Sequence, residues 1–363
     1  MIALVLDKYK RVKGTISNKG TYPFVLKSHF ENLDNSAISI EFEVPMDNYM
    51  SQHITDYGHV AFERNGILHM FKNLIVEENR ARRTKNVMAV GVAVELSKKF
   101  VEPFSNEKWT AKQHAEFFLT NTPWQVGEFY FNGARTMSSD KQISVLEAVQ
   151  RIRTTFDVDI LFRVEEKDGE ITGYYMDILE RRGVVYPKRF EVGKNIEGIR
   201  RKIDSSELVT ALYGYGERDE SENADEPLTF ANVEWKKSLG APVDKPLGQT
   251  WVGDPESLSK YSDDGTHIFG VHESTVKGDP ADLLKYTWQV LQNKNKPKIT
   301  YEVDITLLGN IEVGDTLNIA DFTNKDDVLL LEARVHEKDV IYLPNGQQRG
   351  KVTLKNFKEI EYE

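Results

Sequence analysis

The order of strand-like segments in the first hundred residues returns near the C-terminus, and this constrains the fold more than any single motif. "ISIEFEVP" sets Ile38, Ile40, Phe42 and Val44 on one face and Ser39, Glu41 and Glu43 on the other, the two-residue period of a half-buried strand. "HVAFERNGILHMFKNLIVEE" follows, with Asn65-Gly66 between apolar runs, a hairpin signal because both residues tolerate positive φ. "NVMAVGVAVEL" then alternates through Val90, Val92 and Val94. Late in the chain "ITYEVDI", "VGDTLNIADF", "DVLLLEARVHEKD" and "GKVTLKNFKEI" keep the same order, with Gly314 placed before a strand as Gly58 is. The expectation is two copies of one β module, the first over 1–100, the second split into 186–216 and 298–363.

The segments between have other periods. Thr110 with Gln113, and Ser144 with Glu147, have capping-box spacing, and Leu146, Val149, Ile152 and Phe156 line one helix face. Asp168-Gly169 predicts another hairpin, so 101–185 reads as an α/β insert domain. A second insert covers 217–297. Within it, Asp279 as cap, Pro280 in the first turn, and Leu283, Leu284, Thr287, Trp288 and Leu291 on one face predict a helix over 279–293. "LYGYGERDESENADEP" opens like a dinucleotide loop, but Asp219 stands where the third glycine belongs, and the acidic run would repel a phosphate. The stretch reads instead as the last strand before the insert, with Gly214 and Gly216 permitting a sharp exit. Six acidic groups over 217–227 and few apolar anchors predict low local stability, with proteolysis between 217 and 277 first.

Composition removes whole classes of function. The 363 residues suffice for two or three domains. No apolar run approaches the ~20 residues of a membrane span, and the N-terminus lacks a basic-then-apolar leader, so a soluble, unprocessed chain is expected. The absence of cysteine excludes disulfides, cysteine-ligated zinc and thiol catalysis. A net charge of −10 argues against gripping nucleic acid through its phosphates. The chain contains no G-x-S-x-G elbow, Walker loop or H-E-x-x-H helix. Histidines 29, 53, 59, 69, 114, 267, 272 and 336 are scattered and read as solvated or satisfied strand residues rather than metal ligands. "DFTNKDD", with Asp321, Asn324, Asp326 and Asp327, lacks the glycine and terminal glutamate of a calcium loop and reads as a hairpin tip. The basic clusters at 80–83, 181–182 and 200–202 read as solvated faces or subunit salt bridges. No catalytic, cofactor or metal residue is assigned. Two alternatives stay open: a cell-wall hydrolase using unassigned carboxylates, and a carbohydrate-binding module stacking sugars on Trp235, Trp251 and Tyr261, aromatics that serve equally as local core.

"NIEGIRRKIDSSELVTALYGYGE", followed after an insert by "IEVGDTLNIAD" and "EARVHEK", resembles the tail-associated or baseplate hub proteins of tailed bacteriophages, the prophage endopeptidase tail or minor structural proteins. The resemblance runs over essentially the whole chain and is most specific at 209–217, 311–316 and 333–335. It implies an α+β, β-rich fold with two tail-tube-like β-barrel modules and two small α/β insert domains. It also implies structural roles for Tyr213, Gly214, Gly216, Gly314, Asp315 and Arg334. The implied protein is a homotrimer at the virion tail tip, next to the distal tail protein ring, the tape measure protein and receptor-binding proteins, with phage DNA passing through unbound. It needs no cofactor. The peptidase in the family's label has no matching residues here, so a structural protein rather than an enzyme is expected.

Overall fold

The computed structural model describes residues 1–216, 227–274, 279–305, 311–323, 328–343 and 348–359, with the side chains of 356–359 excepted. The chain packs as two units, 1–200 with 301–363, and 201–300. The acidic run 217–226 and most of the "DFTNKDD" tip lie outside the described residues.

The first unit begins with β1 (Ile2–Leu6), β2 (Val12–Ser17), β3 (Val25–Asn32), β4 (Ala37–Pro45), β5 (His59–Arg64), β6 (Ile67–Asn79) and β7 (Thr84–Gly91). Alternation does what the sequence predicts: Ile40, Phe42 and Val44 are buried with Val87, Ala89 and the stacked rings of Phe62 and Phe71. Asn65 and Gly66 take φ of 50° and 77° at the β5–β6 turn. The third alternating segment departs from expectation. β7 stops at Gly91, whose backbone lies so close to β4 that a Cβ there would sit 2.4 Å from Ile38 Cγ2. Val92 and Leu96 instead enter a 3-10 turn over Val92–Lys98 and join a different core.

That core belongs to β8 (Phe100–Val101), β9 (Phe104–Thr110), α1 (Ala111–Leu119), β10 (Trp124–Phe129), β11 (Ala134–Ser139), β12 (Ile143–Ser144), α2 (Val145–Phe156), β13 (Asp159–Lys167) and β14 (Glu170–Leu179). Thr110 and Gln113 close a full capping box on α1. At α2 only half of one forms, because Ser144 Oγ accepts from the Glu147 amide while the Glu147 carboxylate accepts from Arg151 instead. Asp168-Gly169 turns β13 into β14 at φ of 55° and 83°.

Next come β15 (Val185–Glu191) and β16 (Ile196–Asp204). The second unit holds β17 (Ala211–Tyr215), β18 (Trp251–Gly253), α3 (Pro255–Tyr261), β19 (Phe269–Glu273) and α4 (Pro280–Lys294), the last capped by Asp279. Strands β20 (Lys298–Ile305), β21 (Thr316–Asp321), β22 (Leu329–Tyr342) and β23 (Gln348–Glu359) complete the chain.

Among the described residues, a thirteen-stranded sheet contains two runs of the same order. One is β3-β4-β7-β6-β5-β1, and the other is β16-β20-β23-β22 continuing to β21 and β15. They differ in sense at the end, where β1 runs antiparallel to β5 and β15 parallel to β21. Details agree too. Ile40 and Phe42 face Ala89 and Val87, as Tyr301 and Val303 face Leu354 and Val352. Thr316 faces Arg334 as His59 faces Lys72, and register shifts fall between Asn73 and Ile75 and between Val335 and Glu337.

One expectation about the stretch that begins at Leu212 is corrected. β17 does not join this sheet; it is the middle strand of β18-β17-β19 in the second unit. Its core partners explain this: Phe230, Val243, Val252, Leu283 and Leu284 form that unit's own apolar cluster.

Candidate functional site

The densest polar arrangement in the first unit lies where the two runs of strands meet, at the antiparallel pairing of β22 with β3 that sets Glu337 opposite Asn32 and Lys338 opposite Glu31. With His29 and Glu31 of β3 and His336 and Lys338 of β22 at buried positions, the pair of strands needs partners for every charge, because burial without pairing is costly. Each has one. Arg182 Nη2 donates to Glu31 Oε1 at 2.6 Å. Arg64 reaches the His29 ring at 2.8 Å and Glu312 Oε1 at 2.7 Å. Lys338 Nζ donates to the Ile311 carbonyl and, at 3.3 Å, to Glu312 Oε2.

The turn after β3 carries Asp34, which collects Arg153 at 2.9 Å, His336 at 2.9 Å and Lys355 at 2.5 Å. Burial alone would raise its pKa, but hydrogen bonds from His336 and Lys355 hold the carboxyl well below the usual range. Glu31 is similar: burial raises it, the Arg182 charge outweighs that, and the pKa falls to about 2. Burial and the Arg64 charge lower His29 to about 3.

Three of the residues named from the sequence meet beside this joint. Gly314, at φ 95°, accepts from Arg334 Nε at 3.1 Å, and its amide donates to Val335 O at 2.7 Å. The Asp315 carboxylate accepts from the amides of Val184 at 2.8 Å and Glu312 at 2.9 Å. Arg334 also pairs with Asp159 at the start of β13, and Asp159 accepts from the Arg182 amide at 2.6 Å. Gly183 fits against Gly314 so closely that a Cβ on it would lie 2.2 Å from the Gly314 carbonyl carbon.

Tyr213, Gly214 and Gly216 lie in the second unit. Gly214 does not make a turn: it is inside β17, beneath Phe230 and Thr287, either of which a Cβ would meet at 2.4 Å. Tyr213 packs on Phe269 at 5.3 Å, and the Gly216 amide bridges to Leu228 O at 2.9 Å. Trp235 and Trp251 are engaged with Trp288 and Phe269 respectively.

Sequence reasoning missed Arg182, Gly183, Asp159 and Asp34. The signal in "RRG" was ambiguous, since Arg181 is half-exposed against Asp157 while its neighbour is buried against Glu31. His114 sits on α1 rather than a strand, its Nε2 donating to Arg135 O at 3.0 Å. Among the described residues no three histidine or carboxylate side chains converge to hold a metal ion. A cavity of about 350 Å³ between β4, β7 and β13 is walled mainly by Ile38, Met70, Met88, Trp124, Ile160 and Phe162. At its edge Glu31 is already tied to Arg182. The chemistry of this joint is cohesion: its acids and bases neutralise one another.

Residues 186–360, which contain Gly314, Asp315 and Arg334, match the model of the prophage endopeptidase tail family. Over that stretch, just under half of its length, the chain is similar to that family. Solved structures of tail proteins share its fold along nearly their whole length. The prophage tail protein gp18 of Listeria monocytogenes EGD-e is 13% identical, with 98% of this chain and 94% of that one covered at a TM-score of 0.57. A tail protein of Neisseria meningitidis MC58 is 10% identical over 98% and 96%, at 0.59. The 43 kDa tail protein of prophage MuSo2 from Shewanella oneidensis is 10% identical over 97% of each chain, at 0.57. No curated protein matches. The expected β-rich α+β class is the class observed. Among the described residues no helix is long and apolar enough to cross a membrane.

Proposed function

We propose that this chain is a structural hub at the distal end of a phage or prophage tail. In this reading it forms a threefold ring on the sixfold tail tube, touches the distal tail ring and the tape measure protein, and bounds the path of the DNA. The observation that carries the reading is the strand order repeated within one chain, β3-β4-β7-β6-β5-β1 and β16-β20-β23-β22-β21-β15. We take these runs as two copies of one module, so that three chains present six similar units, and a threefold body matches a sixfold one. Gly314, Asp315 and Arg334 then lock the second module to β13, while Tyr213, Gly214 and Gly216 pack the sheet of the second unit. A charge of −10 suits a wall that DNA must slide past, because phosphate affinity would slow it. No hydrolytic step is assigned, since the buried acids of the joint are bound to arginine, lysine or histidine partners.

Mass photometry of the chain at low and high salt, with and without the adjoining distal tail ring, tests the proposal. A threefold mass on that ring is expected, and a chain that stays monomeric there would overturn the hub. Clearing of purified cell walls by the chain alone would overturn the non-enzymatic part.

A further inference from the structure

The two runs of strands are joined by one contact that the fold uses once and offers twice. In β22, the half that precedes the bulge at Val335–Glu337 pairs with β21, and the half beyond it pairs with β3 over Ser28–Asn32. β6 is built alike. Its residues 67–72 pair with β5, a bulge follows between Asn73 and Ile75, and the remainder to Asn79 pairs with β7 on one side. Matching Thr316 to His59 and Arg334 to Lys72 makes 75–79 the counterparts of 337–341, the segment that receives β3. On that side of β6, no strand pairs with 74–79 among the described residues.

The strand that holds the position of β3 in the second run is β16, and it lies at the end of the sheet, with one side unpaired among the described residues. One chain therefore has an unused acceptor edge at β6 and an unused donor edge at β16. Open edges are templates for another chain, and soluble proteins usually blunt them. Here β6 leaves Leu74 and Ile75 half exposed. Charges agree as well: Glu77 and Glu78 follow on β6, while β16 presents Arg200, Arg201 and Lys202. The intrachain joint has the same character, with Lys338 of β22 opposite Glu31 of β3.

We propose that β16 of one copy of this chain adds antiparallel to residues 74–79 of β6 in a second copy, repeating between chains the β3–β22 joint found within each. The contact is head-to-tail, the type of interface from which a closed ring is built when its rotation returns on itself. It rests on the duplicated module proposed above and names the surface by which that ring is made.

The chain has no cysteine, which makes cross-linking clean. Ile75→Cys protein is mixed with each of Lys202→Cys, Ile203→Cys and Asp204→Cys in turn, the registers that set Glu77 and Glu78 opposite 199–202, and oxidised, alone and on the distal tail ring. A disulfide-linked pair of unlike chains is expected for one or two of the three mixtures, at least tenfold above either single variant alone. Ile75→Lys, at a half-exposed position, is expected to cut the oligomeric fraction at least tenfold while leaving the melting temperature of the monomer unchanged. An oligomer that forms with no mixed disulfide overturns this pairing and leaves the hub standing. A chain monomeric in every condition, with no mixed disulfide, overturns both.

Discussion

Arg182 and Glu31 meet at 2.6 Å with little solvent reaching either side chain, one from the segment after β14 and the other from β3. A buried pair of this kind adds little over a well-packed apolar pair, but breaking it strands a charge. Glu31→Ala is expected to cost about 3–5 kcal/mol in chemical denaturation, for that reason. Glu31→Leu combined with Arg182→Leu should recover most of the loss. A double variant as unstable as the single one would mean that Arg182 is held mainly by its other contacts.

Acid should loosen the same joint before ordinary carboxylates titrate. His29 is lowered to about 3 by burial, with Arg64 and Lys338 adding positive charge and Glu31 opposing them. His69 is lowered to about 4 by burial, opposed by Glu31. A depressed folded pKa contributes stability that is complete above the unfolded value and lost as pH falls through the folded one. The two histidines therefore begin to withdraw stability below about pH 6.5, and Glu31, depressed to about 2, adds its own loss below its normal value of 4.5. Melting temperatures should be level near neutrality and fall from pH 6.5 towards 4. His29→Gln should flatten the upper part of that slope, and an unchanged slope would remove His29 from the account.

Gly183 and Gly66 separate two reasons for glycine. Both have positive φ, 82° and 77°, but only Gly183 has backbone where a Cβ would go, whereas Gly66 has open space. Gly66→Ala should cost about 1 kcal/mol or somewhat more from backbone strain. Gly183→Ala should cost about 2–4 kcal/mol, because overpacking adds to that strain. Equal losses in paired denaturation curves would show that the segment at Gly314 yields easily.

These residues also show what was legible in the sequence. Asn65-Gly66, Asp168-Gly169 and the Thr110 cap were readable because each acts within a few residues of itself. The end of β7 was not, since Val92 and Leu96 obey a core contributed by α1 and α2, and alternation continues in the letters after the strand has stopped. Gly214 has the spacing of a turn glycine in the sequence, but its reason is a ring and a hydroxyl from elsewhere in the second unit. Arg182 beside Arg181 shows the same limit, because only the fold brings Glu31 to one of two identical neighbours. The joint is non-local throughout, so its members could be named only where a family resemblance carried them.

The second unit carries its own test in Lys245, a fully buried lysine whose ammonium donates to the carbonyls of Phe230 at 2.7 Å and Val233 at 2.6 Å. Burial lowers its pKa, and the Phe230 ring centroid lies 5.3 Å from the nitrogen, so the two carbonyls and the ring face hold the charge. Lys245→Met keeps the volume and removes the donor, leaving the Val233 carbonyl without its ammonium partner at about 1–3 kcal/mol, while the Phe230 carbonyl keeps the Val233 amide at 3.1 Å. Because Phe230 heads the apolar cluster under α4, that loss should open the second unit locally. Amide exchange should rise across β17, β18 and α4 while β3, β4 and β7 keep their protection. Exchange that rises equally in both sets would mean that residues 201–300 do not fold around a core of their own.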